Sequence, residues 1–214
     1  MTGPHVLVMA KAPVAGRVKT RLCPPCTPEQ AAAVAEASLA DTLDAVGRSH
    51  AGRRIVALDG EPGPWLPPGF DLIPQQGATF AERLANAWDA TGGPGLQIGM
   101  DTPQLTAVDL DGALAALEAF GTDAVLGPAG DGGWWAIGLR RPNWRVFTGV
   151  PMSTPFTGRL QRHRLVSLGL AVRDLETLTD VDTFATAVAV AAHAPAGRFA
   201  RAVRGVAAAV GSMA

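Results

Sequence analysis

The chain has 214 residues, of which 48% are hydrophobic and 17% are charged, a balance that argues against disorder and fits one α/β domain. The formal net charge is −1, so the molecule as a whole lacks the basic character of nucleic-acid-binding proteins. No apolar run approaches the roughly 18 residues of a membrane span. The N-terminus does not resemble a signal peptide, and two cysteines make no disulfide framework. We therefore expect a cytoplasmic protein that binds neither nucleic acid nor a membrane.

Predicted strands and helices alternate along the chain. The first strand is the apolar run His5–Ala10, and helices are predicted to begin at Thr27 and Thr79, each a typical N-cap residue. Alternation of this kind predicts a mostly parallel, Rossmann-like sheet with helices on both faces. We expect one domain over residues 1–214, with a core at 4–192 and a helical tail at 193–214. The further strands are predicted at 54–58, 70–73, 95–100, 123–126, 134–139 and 170–172, and the further helices at 109–120, 155–168 and from 182 onward.

Both lysines of the chain lie in the segment that follows the first strand, and the other 16 Lys or Arg residues are all arginine. A composition that disfavours lysine so strongly indicates that a compact ammonium is needed there. Ligands bind at the carboxyl ends of strands in an α/β sheet, so the segment predicts an anion site, and we expect it to bind the phosphates of a nucleotide. The spacing is not that of a Walker A loop, and a solvated basic loop is the alternative. The residues concerned are Lys11, Gly16, Arg17, Lys19 and Arg21.

Asp101 follows the predicted strand at 95–100 and precedes Pro103. A carboxylate at the end of a central strand is well placed to hold Mg²⁺, which proteins commonly bind through one or two carboxylates together with substrate phosphates. The alternative is that Asp101 or Thr102 caps the helix that follows.

Two more acidic loops occur later in the chain. In Gly127–Gly133, Asp131 precedes two glycines that would let the backbone approach a substrate closely, although Asp-Gly is also a hairpin turn signal. Asp180 and Asp182 lie on one side of an extended segment before a helix, and Asp182 would alternatively cap that helix.

These motifs, taken in order, resemble the DUF2064 family, which is grouped with the GT-A-fold nucleotide-diphospho-sugar transferases. More distantly they resemble 2-phospholactate guanylyltransferases and molybdenum-cofactor nucleotidyltransferases. Gln76 and Gly77, followed by Glu82 and Arg83, match the family's Gln…Gly…Glu-Arg pattern. The resemblance covers nearly the whole chain to about residue 190 and implies a GT-A-like fold. The four segments that carry it are Lys11–Leu22, Gly99–Leu105, Leu126–Leu139 and Asp180–Thr183.

The resemblance also implies roles for individual residues. Met9 and Ala10 are expected near the base, and Asp101 is the expected ligand of Mg²⁺ or Mn²⁺, with Asp131, Asp180 or Asp182 as the second acid. The residues expected to hold the nucleotide further include the four cations of the first loop (Lys11, Arg17, Lys19 and Arg21), together with Gln76, Arg83, Gly132 and Gly133.

The chain departs from the family at three aromatic positions. Trp134 and Trp135 stand where tyrosines are usual after Asp-Gly-Gly, and Met152 stands where tryptophan is common. The chain has no tyrosine, so packing or stacking by indole must replace any role of a tyrosyl ring.

The function expected from these residues is metal-dependent nucleotidyl transfer from a nucleoside triphosphate to a small phosphorylated or hydroxyl acceptor. Lys19 and Asp101 are the expected catalytic residues, with Lys19 stabilising the charge that develops on the phosphates. An alternative is glycosyl transfer from a nucleotide sugar, and another is non-catalytic nucleotide binding. Redox chemistry at Cys23 and Cys26 is less well supported, because the pair does not follow a thioredoxin-type strand. The sequence leaves the oligomeric state open, a homodimer included.

Overall fold

A computed structural model describes residues 3–211 and contains one seven-stranded sheet with helices on both faces. The predicted mostly parallel α/β fold is confirmed. The strands are β1 (His5–Lys11), β2 (Arg53–Asp59), β3 (Asp71–Pro74), β4 (Gly95–Gly99), β5 (Ala124–Pro128), β6 (Trp134–Leu139) and β7 (Val172–Asp174). The helices are α1 (Pro28–Arg48), α2 (Phe80–Thr91), α3 (Ala107–Glu118), α4 (Thr157–Ser167), α5 (Phe184–His193) and α6 (Arg198–Gly211), with 3₁₀ turns at Thr20–Leu22 and Trp144–Phe147.

The strand order is β3-β2-β1-β4-β6-β5-β7, and only β6 runs antiparallel to its neighbours. From the central pair β1 and β4, successive strands are added in opposite directions. Such a reversal leaves a crevice at the carboxyl ends of the two strands, where α/β proteins bind ligands. Lys11 ends β1, and Asp101 follows the end of β4 by two residues. The topology therefore brings the first two predicted site segments to one place.

The predicted strand at 170–172 is wrong by two residues at each end. Ala124 and Val172 are the first paired residues of β5 and β7, and the carbonyl of Ala171 accepts the N–H groups of Asp123 and Ala124. Leu170 packs against the core. Its hydrophobicity, which suggested a strand, therefore serves packing at the end of a loop.

Threonine caps four of the helices, each through a capping box. The prediction for Thr27 is confirmed. Its hydroxyl accepts the N–H of Gln30, and the side-chain oxygen of Gln30 accepts the N–H of Thr27. The alternative role of Asp101 or Thr102 as a cap of α3 is wrong, because Thr106 occupies that position. Asp182 likewise does not cap α5. The four caps are Thr27, Thr79, Thr106 and Thr183.

The core has one layer on each side of the sheet and a third, helical layer. This third layer is made by α1, α5 and α6, where Phe199 and Val203 are buried. Arg198 fixes the start of α6 by pairing with Asp41 at 3.2 Å and Asp44 at 2.5 Å on α1. The described part of the predicted tail is thus built into the core, and residues 212–214 lie outside the described residues. None of the helices within residues 3–211 has the length and apolar character needed to cross a membrane.

Removing the ring of Phe199 should therefore destabilise the whole domain. Phe199→Ala is expected to lower the free energy of unfolding by about 3–5 kcal/mol, because it leaves a cavity between α6 and α1. Urea denaturation measures this, with Val210→Ala on the exposed side of α6 as the control. A loss no larger than the control's would mean that α6 does not belong to the cooperative unit.

Candidate active site

Two adjoining cavities open at the carboxyl ends of β1 and β4. The larger cleft has a volume of about 640 Å³ and reaches from Met9 to the Asp131 loop and the 180–182 segment. The basic compartment beside it has a volume of about 300 Å³ and lies under the loop that follows β1. Three residues line both cavities and so form the boundary between them: Arg21, Asp101 and Asp182.

The basic compartment contains all four cations predicted from the sequence. Lys11, Arg17, Lys19 and Arg21 line it, against only two carboxylates. The loop reaches this shape through a turn at Gly16, whose φ of 73° is accessible to glycine without strain. The structure therefore brings the four cations of this loop together in one compartment, while their binding of phosphates stays a prediction.

Lys19 joins three distant segments of the chain. Its ammonium lies 2.5 Å from Oδ1 of Asp101 and also donates a hydrogen bond to the carbonyl of Val181. The side chain is only 11% exposed, and the backbone has the left-handed values φ 48° and ψ 37°. The N–H of Val181 in turn donates to the carbonyl of Asp101 at 2.9 Å. A strained, nearly buried lysine thus ties the β1 loop to the end of β4 and to the last acidic segment.

Arg21 and Asp182 form a second and looser ion pair at the boundary. Their side chains are 72% and 41% exposed, and the charged atoms are 2.8 Å apart. Exposed pairs of this kind contribute little to stability. Arg21 is therefore free to exchange its carboxylate partner for a ligand anion at small cost, unlike Lys19.

The larger cleft is acidic. Asp101, Asp131, Asp180 and Asp182 line it, and Arg21 is the one cation among its lining residues. Burial raises the pKa of Asp180, and the charges of Asp131 and Asp101 raise it further, while Lys19 opposes them weakly. The acids predicted from three separate motifs thus act on one another. Within residues 3–211, however, no group of three or more His, Cys, Asp or Glu side chains is already arranged as a metal site.

The larger cleft also has apolar lining residues, and the two tryptophans among them differ in their roles. Trp135 is buried against Gly127, and its indole N–H donates to the carbonyl of Glu176 at 2.9 Å. Trp134 remains half-buried and packs on Phe147 with 6.5 Å between ring centroids. Packing therefore replaces any tyrosyl role at these positions. The apolar lining residues are Met9, Phe80, Leu84, Ile98, Trp134, Trp135 and Met152.

Four polar residues of the cleft were not predicted as site residues, namely Thr102, Ser153, Thr154 and Thr157, and two of them have unusual surroundings or backbone. Ser153 has φ of 58°, and it and Lys19 are the two non-glycine residues with positive φ within residues 3–211. Thr102 is buried, and its hydroxyl has no hydrogen-bond partner among the described residues. The Ser-Thr turn at 153–154 and the position next to Asp101 were visible in the sequence. The strain and the missing partner were not, because both arise from the fold.

Several predicted nucleotide contacts lie outside both cavities. Gln76 offers its carbonyl to Asn86 at 2.9 Å, and Arg83 pairs with Asp59 at 3.4 Å. Glu82 accepts the N–H groups of Ala78 and Thr79, so this motif serves the start of α2. Ala10 is buried, and its carbonyl accepts a hydrogen bond from Gln75. Neither Ala10 nor Gly16 lines a cavity.

The glycines after Asp131 also have roles of their own in the fold. A side chain on Gly132 would overlap the carbonyl of Pro155, and the Gly132 carbonyl accepts the N–H of Gly158 at 2.8 Å. Gly133 lines the larger cleft, and its N–H donates to Oδ1 of Asp131 at 2.7 Å. The loop joins the antiparallel strands β5 and β6, so the hairpin alternative is correct as a description of the backbone. Close packing against the start of α4 accounts for Gly132, while Gly133 and Asp131 face the cleft.

Comparison with solved structures gives the fold a context. A candidate nucleotide-diphospho-sugar transferase from Desulfovibrio desulfuricans G20 is 27% identical, with a TM-score of 0.78 over 88% of this chain and 87% of that chain. The CMP:2-keto-3-deoxy-manno-octonic acid synthetase complexed with CTP is 14% identical, with a TM-score of 0.52 over 89% and 97%. Rv0371C of Mycobacterium tuberculosis H37Rv in complex with manganese is 17% identical, with a TM-score of 0.51 over 85% and 92%. The last two similarities concern the fold alone.

Comparison of the sequence gives the family. No curated protein matches the chain. Residues 32–154, more than half of the chain, match the model of DUF2064, described as an uncharacterized protein conserved in bacteria. The chain therefore belongs to the DUF2064 family and has the GT-A-like fold of the nucleotide-diphospho-sugar transferase superfamily.

Proposed function

We propose that this protein is a metal-dependent nucleotidyltransferase that transfers a nucleotidyl group from a nucleoside triphosphate to a small phosphorylated or hydroxyl acceptor. The observation that carries the proposal is the separation of cations and carboxylates between two adjoining cavities at the carboxyl ends of β1 and β4. Four cations line the basic compartment, and four aspartates line the cleft beside it.

The basic compartment suits a polyphosphate. A nucleoside triphosphate brings about four negative charges, and Lys11, Arg17, Lys19 and Arg21 balance them by charge-assisted hydrogen bonds. Two of these cations are held by carboxylates in the free protein, Lys19 firmly and Arg21 loosely. Phosphate oxygens are therefore expected to attract Arg21 away from Asp182, which would leave that carboxylate free in the cleft.

The acids fit a divalent cation in their chemistry. Their oxygens are the hard ligands that Mg²⁺ and Mn²⁺ prefer, and burial together with the neighbouring carboxylates Asp131 and Asp101 raises the pKa of Asp180. Asp101, Asp131 and Asp180 are the proposed holders, with Asp182 joining when Arg21 leaves it. The bound ion would neutralise charge on the phosphates. The manganese complex of the fold relative Rv0371C supports this proposal.

The residues of the chain would act mainly by positioning and by neutralising charge. The oxygen of the acceptor forms a bond to the α-phosphorus, the bond from that phosphorus to the bridging oxygen breaks, and pyrophosphate leaves. Lys19 is the cation nearest Asp101 at the boundary of the two cavities, and it would stabilise the negative charge that develops on the leaving group. The apolar residues of the cleft, Trp134 among them, would hold the base or the acceptor and exclude water.

Glycosyl transfer from a nucleotide sugar is the second candidate. It is favoured by the similarity to the candidate nucleotide-diphospho-sugar transferase, at 27% identity. The same cations would then stabilise a departing nucleoside diphosphate. Four cations exceed the charge of a diphosphate, so we place nucleotidyl transfer first.

A thermal-shift screen separates these functions. ATP, CTP, GTP and UTP are compared with UDP-glucose and GDP-mannose, each with and without Mg²⁺. We expect a triphosphate with Mg²⁺ to raise the melting temperature most, because ligand binding stabilises the native state by mass action. A larger shift with a nucleotide sugar would favour glycosyl transfer, and the absence of any metal-dependent shift would contradict both transferase proposals.

Lys19→Ala tests the catalytic role directly. We expect pyrophosphate release with the preferred triphosphate to fall by about 100-fold, which is typical for the loss of one preorganised charge-stabilising donor. Arg48→Ala is the control, since Arg48 is an exposed cation on α1 outside both cavities. Circular dichroism checks that both variants fold. Turnover within a few-fold of the wild type in Lys19→Ala would remove this lysine from the mechanism.

Asp180→Asn should stabilise the protein without a metal. The pKa of Asp180 is raised in the folded state. Its contribution to the stability of the folded protein is therefore favourable at low pH, where the carboxyl is protonated, and is lost as the carboxyl ionises with rising pH. At neutral pH we expect a higher free energy of unfolding than in the wild type, with the gain shrinking on acidification. The same variant should lose part of the Mg²⁺-dependent shift. Urea titrations at several pH values measure these free energies, and Glu118→Gln, at an exposed position, is the control. If Asp180→Asn is less stable than the wild type at neutral pH, burial and the neighbouring carboxylates do not destabilise the ionised form of Asp180.

A further inference from the structure

Charge is distributed very unevenly along the chain. Residues 132–173 contain seven arginines and not a single Asp or Glu. The other residues therefore hold 11 of the 18 Lys and Arg residues and all 19 acids, so their net charge is −8 against +7 in this segment. The net charge of −1 conceals a strongly dipolar molecule. An asymmetry of this size orients a protein on a charged partner.

The fold places four of these seven arginines on α4 and on the 144–147 turn that packs against it. Arg164 of α4 donates to the carbonyl of Arg145 at 3.0 Å, and Gln161 donates to the carbonyl of Val146 at 2.8 Å, so α4 lies against the 144–147 turn. Arg162 reaches across to Asp174 on β7. We call this surface the arginine face and define it by six residues: Trp144, Arg145, Phe156, Arg159, Arg162 and Arg164.

The arginine face is unpaired for the most part. Within residues 3–211, Arg145, Arg159 and Arg164 have no carboxylate partner, whereas Arg162 has one at 3.0 Å. Guanidinium groups that lie close together without carboxylate partners attract an anionic partner. The other three arginines of the segment lie outside this face: Arg140, Arg141 and Arg173. The guanidinium of Arg140 donates to carbonyls at and just after the end of α3.

Two exposed aromatic rings lie among these cations. Trp144 is 53% exposed and Phe156 is 56% exposed. The guanidinium of Arg145 lies 5.7 Å from the centre of the Trp144 ring, and that of Arg159 lies 5.3 Å from the Phe156 ring. Aromatic side chains next to cations are typical of the membrane–water interface, where the ring enters the headgroup layer and the cation binds lipid phosphates.

We propose that the arginine face docks this protein on a membrane surface that contains anionic lipids. The interaction is peripheral, with arginines bound to headgroup phosphates and the two rings inserted between headgroups. The rest of the molecule, with its net charge of −8, faces away from the bilayer. The proposal is independent of the reaction that the cleft carries out.

A membrane fits this face better than a nucleic acid does. Single-stranded nucleic acids stack their bases on open aromatic faces along a positively charged groove. Here a guanidinium already covers one face of each ring, and the exposed rings lie on α4 and the 144–147 turn instead of lining either cavity.

The arginine face begins at the rim of the larger cleft. Phe156 stands between Pro155 and Thr157, both of which line that cleft. Docking would therefore bring the cleft entrance beside the headgroup layer. This proposal differs from the expectation of no membrane partner, which was drawn from the lack of an apolar run long enough to span a bilayer.

Vesicle sedimentation tests the proposal. The wild-type protein is incubated at low salt with vesicles of phosphatidylglycerol and phosphatidylcholine in equal amounts, and with vesicles of phosphatidylcholine alone. We expect binding to the first and none to the second, with affinity falling as salt is added. Failure to bind the anionic vesicles overturns the proposal, whatever the thermal-shift screen reveals about the cleft.

Variants with matched controls localise the binding. Each arginine near an anionic bilayer contributes roughly fivefold to the partition coefficient, so Arg159→Glu should weaken binding by at least about tenfold. Arg48→Glu changes the net charge equally at an exposed site on α1 and should leave binding within about twofold. Trp144→Ala should weaken binding several-fold, while Phe120→Ala, at a fully exposed ring after α3, should not. Equal losses in the controls would mean that net charge alone, and not this face, drives binding.

Binding of a single-stranded poly(U) oligonucleotide tests the alternative that the arginine face binds a nucleic acid. Fluorescence anisotropy at the same salt concentration measures its affinity for the wild type and for Trp144→Ala. We expect binding at least about tenfold weaker than to the anionic vesicles. Tighter binding to the oligonucleotide, lost in Trp144→Ala, would overturn the membrane assignment in favour of a nucleic acid.

Discussion

The contact between Lys19 and Asp101 is the constraint on which the site depends. The lysine is nearly buried, has a left-handed backbone and bonds at once to the end of β4 and to the carbonyl of Val181. A buried ammonium is stable only when it is paired, so none of these three segments can shift without exposing an uncompensated charge. One side chain therefore fixes the relative positions of residues that lie 82 and 162 positions apart from it in the sequence.

The same contact lies at the boundary between the positive and negative charges of the site. Lys19 pairs with Asp101 at the boundary, with Lys11 and Arg17 on the basic side only and Asp131 and Asp180 in the larger cleft only. Arg21 and Asp182 are exposed and loosely paired, and they are the part of the boundary that a ligand can open cheaply. The buried pair of Lys19 and Asp101 thus keeps the site preformed, while the exposed pair of Arg21 and Asp182 can separate when a ligand binds.

Much of the fold and of the basic compartment was predictable because strand ends are local features of sequence. Apolar runs identified β1 and β4, parallel strands bring their carboxyl ends to one edge, and Lys11 and Asp101 follow directly. The functions of Gln76, Arg83 and Gly132 were not predictable in this way. A hydrogen bond to a helix side chain, an ion pair and close packing use the same residue types as ligand binding, and only the tertiary structure decides between them. The caps are similar, since Thr106 and Asp101 are equally good candidates until the helix start is known.

Net charge is informative only together with the positions of the charges. A sum over the chain carries no information about position, and a net charge of −1 is compatible with a uniform surface or with opposed charges of +7 and −8. The sequence does contain the asymmetry, as 42 consecutive residues without an acid, but its physical meaning depends on folding. The guanidinium of Arg140 in this stretch donates hydrogen bonds to backbone carbonyls, whereas Arg145 and Arg159 lie beside exposed aromatic rings. Electrostatic predictions from a sequence therefore improve when charge is summed over windows of the length of a supersecondary unit, because such a unit forms one continuous surface.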